Sequence, residues 1–447
     1  MSANKIRNAF KKGQEVLVGP ERDVWVVEGD LGSGAQGDVY LVSGPSGERA
    51  LKWYSPEQAT ADQQERLKVL IAQAAPSETF LWPLALAEVQ GVEGFGYVMP
   101  VCPIGFVGMG DVTTGKIPIS SSKAIRACLN IVAASRDLHA SGLCYRDVSQ
   151  NNIQVNPVSG AVRICDNDNV WIDGVGDSPV VGTYRCAAPE VIRGQAQPSS
   201  NSDLYSMAVL LWEMLSQGHH PLHGALEKQI RIMDEGAERY LYAENPVFVF
   251  NPTNDSNRPI PGDHDNAIIY WNLYPQTIKD LFLRSFTDGI HDPEHGRVRE
   301  SEWLAGLVLL SHSIHTCPNC GCENFHDDSV LGTGGATAIT CWSCGGGLPR
   351  PIRLRVGSRT LVLDVGSKLF PYSIGRDTYS ESAAPVADVV QHPSQASLFG
   401  LHNVSDFAWR ILLPGGRSHL LGPGQSVGLE HGLAIEIAHV QGTVLAQ

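Results

Sequence analysis

The 447-residue chain sets 33 Lys and Arg against 47 Asp and Glu, a formal net charge of −14, with 43% hydrophobic residues. That acidic balance argues against nucleic acid and membrane as partners, since polyanions recruit basic surfaces. No apolar run reaches the roughly twenty residues of a membrane span, and the polar, basic start from Met1 to Gln14 lacks a signal-peptide core, so a cytoplasmic protein of about two to four domains is expected.

The first chemical signal is Gly32-Ser33-Gly34-Ala35-Gln36-Gly37-Asp38-Val39, a G-x-G-x-x-G-x-V pattern. Glycines let backbone amides approach phosphate oxygens without a Cβ in the way. In isolation the pattern fits a dinucleotide-binding turn equally well, but that fold needs a helix after the third glycine. Here Val39-Tyr40-Leu41-Val42 is apolar and β-prone, Ser43 to Gly47 reads as a turn, and Arg49-Ala50-Leu51-Lys52 as a returning strand. Strand, loop, strand is therefore predicted. The polar, alanine-rich stretch from Pro56 to Gln73 then places Leu67, Leu70 and Ile71 at helical spacing, with Glu57 and Glu65 among its acids.

Asp147 and Asn152 follow in Tyr145-Arg146-Asp147-Val148-Ser149-Gln150-Asn151-Asn152, at the separation a phosphoryl-transfer site uses. Ile164-Cys165-Asp166-Asn167-Asp168 comes next, then Gly182-Thr183-Tyr184-Arg185-Cys186-Ala187-Ala188-Pro189-Glu190, an apolar helix opening at Asp203, and Arg297 six residues before Trp303. In this order the segments resemble the H-R-D-x-x-x-x-N, D-F-G and A-P-E signatures of the protein kinases. The resemblance runs from about Val24 to Leu310, with a loose polar insert around Asn251 to Asn266, and implies a bilobal kinase fold with lobes at residues 22–100 and 101–313.

What the resemblance implies is specific. Gly32, Ser33, Gly34, Ala35, Gln36, Gly37, Val39 and Met99 contact ATP, and Lys52 pairs with its phosphates, oriented by Glu65 or alternatively Glu57. Asp147 takes the substrate hydroxyl proton, Asn152 and Asp166 hold Mg²⁺, Asp203 holds the catalytic-loop backbone, and Thr183 sits beside Asp147 to favour an aliphatic hydroxyl. Two departures stand out: Asn167 and Asp168 replace Phe and Gly, and Ser149 replaces a lysine that helps neutralise the γ-phosphate. Asp168 either adds a metal ligand or caps the turn, the turn reading being favoured. Ser178 in the activation segment and Arg146 form a phosphorylation site and its receiver. His219, His220 and His223 lie in a Pro/Gly turn and are read as structural.

Half of the ten cysteines lie in the last third, where Cys317-Pro318-Asn319-Cys320 and Cys341-Trp342-Ser343-Cys344 form two C-x-x-C knuckles 20 residues apart. Two such knuckles close a tetrahedral shell of four thiolates with no open position. Residues 314–350 therefore resemble a zinc ribbon with structural Zn²⁺, and Cys322 is an extra thiol. Cys102, Cys128, Cys144, Cys165 and Cys186 read as small buried hydrophobes. Beyond Gly345-Gly346-Gly347, short β-type runs at 352–356, 360–363, 408–412 and 433–437, parted by Gly, Pro and Ser, predict a β-sandwich over 351–447. Tyr372-Ser373-Ile374-Gly375-Arg376 and Trp409 make this region similar to the forkhead-associated fold. That fold's S-x-x-H loop has no counterpart, so a protein-docking domain is favoured over a phosphothreonine reader.

The expected fold class is multidomain α+β, a bilobal kinase followed by a zinc ribbon and an all-β sandwich. The expected activity is transfer of the ATP γ-phosphate to serine or threonine hydroxyls of protein substrates; the alternative is a pseudokinase scaffold acting through its tail. The ensemble is also similar to bacterial kinases associated with a phosphatase and a von Willebrand A protein in tellurite-resistance-type systems, which implies those two partners.

Overall fold

The computed structural model describes residues 10–34, 36–175, 182–327, 339–413 and 417–445. Its contacts group the chain into two units. One draws on the chain up to Asp111, Ala134–Asn156 and Ala161–Ser206; the other takes Val112–Ala133, Pro157–Gly160 and Met207 onward.

In the first unit, β1 (Glu15–Val18), β2 (Asp23–Ser33), β3 (Gly37–Gly44), β4 (Gly47–Tyr54), β5 (Ala85–Glu88) and β6 (Gly96–Met99) close into an antiparallel barrel of order β1-β2-β3-β4-β6-β5. β1 precedes the expected start at residue 22. Alternation along the strands buries Val16, Val18, Trp25, Val27, Val42, Leu51 and Val98 in one cluster. Ala50, Tyr54, Leu67, Leu81, Tyr97 and Met99 form another cluster, joining the strands to α1 (Ala61–Ala72). α1 begins five residues after Pro56, where the Thr60 side chain accepts from the Gln63 N–H as an N-cap. The loop that carries Asp147 follows β8 (Leu143–Cys144), after the short β7 (Val107–Gly108). It leads through β9 (Ile153–Val155) and β10 (Val162–Ile164) to β11 (Trp171–Ile172), which pairs back with β8.

The helices of the second unit pack around aromatic rings: Trp212 meets Phe248 at 5.2 Å and Phe282 at 5.1 Å, and Phe282 meets Trp303 at 4.9 Å. The insert at 251–266 is tied rather than loose. The fully buried Asn257 donates to Leu222 O and Val247 O at 2.9 and 2.6 Å and accepts from Leu226 N at 3.0 Å.

After these helices, β12 (Ile314–Thr316) and β13 (Glu323–Phe325) pair around the first cysteine knuckle. The C-terminal region is β-rich. β14 (Arg353–Val356), β15 (Arg359–Val362), β16 (Lys368–Leu369), β17 (Ala387–His392), β18 (Gln395–Asn403), β19 (Trp409–Leu412), β20 (Ser418–Leu421), β21 (Ser426–Gly428), β22 (Ala434–Ile437) and β23 (Val440–Leu445) form two antiparallel sheets. Their orders are β15-β14-β23-β22-β19-β20 and β16-β17-β18-β21. Leu354, Leu361, Trp409 and Ile435 of one sheet share a core with Leu369, Val389 and Leu401 of the other. This region docks on helices of its own unit: Tyr379 Oη donates to Asn130 Oδ1 at 2.6 Å, and His312 Nε2 lies 2.7 Å from Ser373 Oγ.

Candidate active site

Lys52 and Tyr54 are two apart on β4 and so share a face, while Lys52 stands opposite Tyr97 of β6 and Val39 of β3. The lysine is only 3% exposed. A buried ammonium without partners costs several kcal/mol; here Nζ donates to both oxygens of Asp168 at 3.0 Å and to Gln36 Oε1 at 2.6 Å, with Asp166 Oδ1 at 3.4 Å. Burial by itself would lower the lysine pKa, but the carboxylates of Asp168 and then Asp166 outweigh it and raise the pKa above its usual value. Asp168 also accepts from Tyr54 Oη at 2.5 Å and Tyr97 Oη at 3.3 Å, and Gln63 Nε2 of α1 reaches Tyr54 Oη at 3.1 Å.

Glu65 does not join this network. Its carboxylate is 69% exposed and paired with Lys68 at 2.6 Å, because its place on α1 faces solvent. Gln63 occupies the inward position. Asp168 does not cap the turn: its side chain is fully buried, paired with Lys52 and hydrogen-bonded by two phenols. The turn before it is fixed by other means. Asp166 takes a left-handed backbone at φ 52°, and the buried Asn167 donates from Nδ2 to Leu81 O at 2.9 Å and Ile164 O at 3.0 Å.

Around Asp147 the expected residues meet. Thr183 donates to Asp147 Oδ1 from both its backbone N and its Oγ1, each at 3.0 Å. Asn152 Nδ2 donates to Asp147 O at 2.9 Å and to Oδ2 at 3.4 Å. Spending Nδ2 in this way leaves the Asn152 amide oxygen as a hard ligand atom, and amide and carboxylate oxygens are the kind Mg²⁺ takes. Desolvation raises the Asp166 carboxyl above its usual pKa, opposed by Lys52. Asp203 accepts from Tyr145 N at 2.5 Å and Arg146 N at 3.3 Å, holding the loop where Arg146 has φ 68°. Arg146 and Arg66 both lie against the Trp171 ring, at 5.8 and 5.7 Å. Ser149 is buried.

The glycine loop is a hairpin tip between β2 and β3, closed by Gly34 N donating to Gly37 O at 2.8 Å. Ser33 ends β2, and Gly32 has φ 151°. Gly37 is needed for strand pairing, because a Cβ there would lie 2.0 Å from Trp53 O. Met99 is buried at the end of β6. Ala35 and Ser178 lie outside the described residues.

The two cysteine knuckles are built alike. In each, a glycine at positive φ (Gly321 at 74°, Gly345 at 69°) follows the second cysteine and donates 2.9 or 2.8 Å back to the carbonyl of the first. The four Sγ atoms of Cys317, Cys320, Cys341 and Cys344 lie within 4.8 Å of one another, with Cys317–Cys344 at 3.8 Å and Cys320–Cys341 at 3.7 Å. A tetrahedral zinc site with Zn–S bonds of ~2.3 Å has edges of about 3.8 Å, so the array fits the ion. N–H groups of Cys344 and Ser343, with Asn324 Nδ2, hold the Cys341 thiol down at about 6. Among the described residues this is the one His/Cys/Asp/Glu group arranged for a metal; His219, His220 and His223 are not. Of the remaining cysteines, Cys128, Cys144 and Cys186 are buried, whereas Cys102 and Cys165 are half-buried.

Sequence reasoning missed Tyr54, Tyr97 and Gln63, and the hydrogen bonds by which Asn167 holds its turn. The i, i+2 spacing of Lys52 and Tyr54 was a usable signal for the first; Tyr97 and Gln63 needed strand register and helix phase. No helix among the described residues is long and apolar enough to cross a membrane.

The protein kinase domain matches residues 25–257, just over half of the chain. Mitogen-activated protein kinase kinase kinase 17 of Arabidopsis thaliana is 26% identical over 195 residues, 42% of this chain and 50% of that protein. Protein kinase YegI of Escherichia coli K12 is 25% identical over 317 residues, 64% of this chain and 45% of YegI. Protein kinase MCK1 of Saccharomyces cerevisiae is 28% identical over 120 residues, 25% of this chain and 31% of MCK1. The chain thus spans half or less of the length of these curated relatives. Since the domain match coincides with the stretch that contains Lys52, Asp147 and Asp166, the chain belongs to the protein kinase family.

Proposed function

We propose that the chain is an ATP-dependent serine/threonine protein kinase acting on protein hydroxyls, with its zinc ribbon and β-sandwich serving regulation or targeting. The observation that carries this reading is the setting of Asp147, whose Oδ1 accepts two hydrogen bonds from Thr183 and whose Oδ2 faces Asn152. A carboxylate held on both oxygens can accept or orient a hydroxyl proton. Lys52 and the loop residues Gly32, Ser33, Gly34, Gln36 and Gly37 contact phosphate oxygens, and Asn152 and Asp166 would hold the metal. Mg²⁺, when bound there, would supply positive charge to those oxygens. Ser149 leaves the γ-phosphate with less positive charge than a lysine would, which slows transfer without abolishing it. The favoured substrate is an aliphatic hydroxyl, on the strength of Thr183 beside Asp147.

Radiolabelled ATP, offered alone and with a generic protein acceptor, tests this. Asp147→Asn should keep ATP binding and lower transfer about a hundredfold or more. Unchanged turnover would remove Asp147 from its role, and a wild type that binds ATP but labels nothing would favour the scaffold reading. For the tail, four thiolates at tetrahedral spacing favour one structural Zn²⁺ per chain. Arg376, the residue kept from the forkhead-associated pattern, lies over Phe407 at 6.0 Å, which favours docking over phosphothreonine reading.

A further inference from the structure

A kinase lysine that holds phosphate needs a fixed carboxylate beside it, and the acids of α1 do not supply one. Asp62 is paired with Arg66 at 2.7 Å and Glu65 with Lys68 at 2.6 Å, both exposed. The α1 residue that does face Lys52's surroundings is Gln63, an amide, and it contacts Tyr54 Oη and, at 3.5 Å, the backbone carbonyl of Asp168. By contrast, the Asp168 carboxylate is wholly enclosed and gives both oxygens to Lys52 Nζ at 3.0 Å. Tyr54 and Tyr97 occupy the remaining lone pairs, and the preceding Asn167 pins the turn to Leu81 O.

We infer that Asp168 is the positioning residue for Lys52, doing from the metal-binding turn what a helix acid would otherwise do. This rests on the kinase reading above. Two consequences follow. The orientation of Lys52 is set by the same short turn that presents Asp166, so the phosphate-binding lysine and the metal carboxylate are placed as one piece. In the surroundings of Lys52, movement of α1 then changes the amide contacts of Gln63 and breaks no ion pair.

The test uses the full chain and measures Mg·ATP affinity together with kcat and KM for transfer. Asp168→Asn and Lys52→Met should each lower kcat/KM about a hundredfold, and the double variant should lose no more than Lys52→Met does, because the two residues act through one contact. Glu65→Gln should stay within about twofold of wild type. Losses that multiply in the double variant, an Asp168→Asn enzyme within about threefold of wild type, or a Glu65→Gln loss as large as that of Asp168→Asn would each overturn the inference. Should Asp168→Asn fail to fold, Tyr54→Phe with Tyr97→Phe removes the donors that fix the carboxylate and keeps the charge pair; a drop of about tenfold supports the inference and unchanged kinetics overturns it. A wild type that binds Mg·ATP without transferring phosphate would defeat the kinase reading, while the same double-variant comparison read in ATP affinity would still decide the role of Asp168. A wild type that neither binds nor transfers defeats both.

Discussion

Asn167 stands where the kinase resemblance anticipates a phenylalanine, and it is completely buried. An apolar ring there would be held by packing; the amide is held by donating to two main-chain carbonyls, Leu81 O and Ile164 O. Replacing it with alanine takes that donor from the buried Leu81 O, while Ile164 O keeps the Leu81 N–H at 2.9 Å, at a cost of about 1–3 kcal/mol. Asn167→Ala should therefore lower unfolding stability by about 2 kcal/mol in urea titrations, and a change below about 0.5 kcal/mol would show that the two bonds do not hold the turn. The residue scale also shows what sequence spacing can carry. Asp147 and Asn152 are legible because they lie five apart in one short loop, and Thr183, 36 residues from Asp147, through the resemblance of its segment to the kinase signature. The partner of Lys52 is not legible, because Asp168 lies 116 residues away and only the fold brings it there. Glu65 was the natural expectation from spacing along the chain, but a two-residue difference in helix phase puts Gln63 inward instead.

Among elements, the two cysteine knuckles are the clearest case of local sequence dictating geometry. Each C-x-x-C is followed by a glycine free to adopt positive φ, so each turn presents two sulfurs on one side. The array has little apolar core of its own: Cys317, Cys341 and Leu348 are its buried members, with Cys322 and Ile339 against them. A metal held by the four thiolates would supply much of its folding energy. Protein purified without chelator should hold one zinc per chain by elemental analysis, and Cys341→Ser should lose it and increase hydrogen exchange around 316–325. Retention of full zinc by that variant would show that Cys341 is not a ligand. In the β-rich region the sequence signalled β14, β15, β19 and β22, whose runs are strongly apolar. β18, with its Gln, Ser, Gly and His residues, was hidden because its pairing with β17 and β21, rather than composition, makes it a strand.

Taken as a whole molecule, the second unit closes its β-rich region onto the end of helix Glu300–Ser311 through His312, and that contact is titratable. The imidazole is buried, its Nε2 is 2.7 Å from Ser373 Oγ, and the His312 main-chain carbonyl accepts from Val362 N at 2.7 Å. Burial, aided by the nearby Arg359 guanidinium, lowers its pKa from the usual 6.5 to about 4. The folded form therefore favours the neutral ring. Its contribution is fully present above pH 6.5 and is lost as the pH falls toward 4, where the unfolded chain takes up a proton that the folded chain refuses. Over that interval the linkage amounts to about 3 kcal/mol, at ~1.4 kcal/mol per unit of pH. His312→Gln keeps a hydrogen-bonding side chain but cannot titrate, so its unfolding stability should fall less steeply than wild type between pH 6.5 and 4.5. Urea titrations across that range check the expectation, and parallel pH profiles for the two proteins would show that the acid sensitivity arises elsewhere.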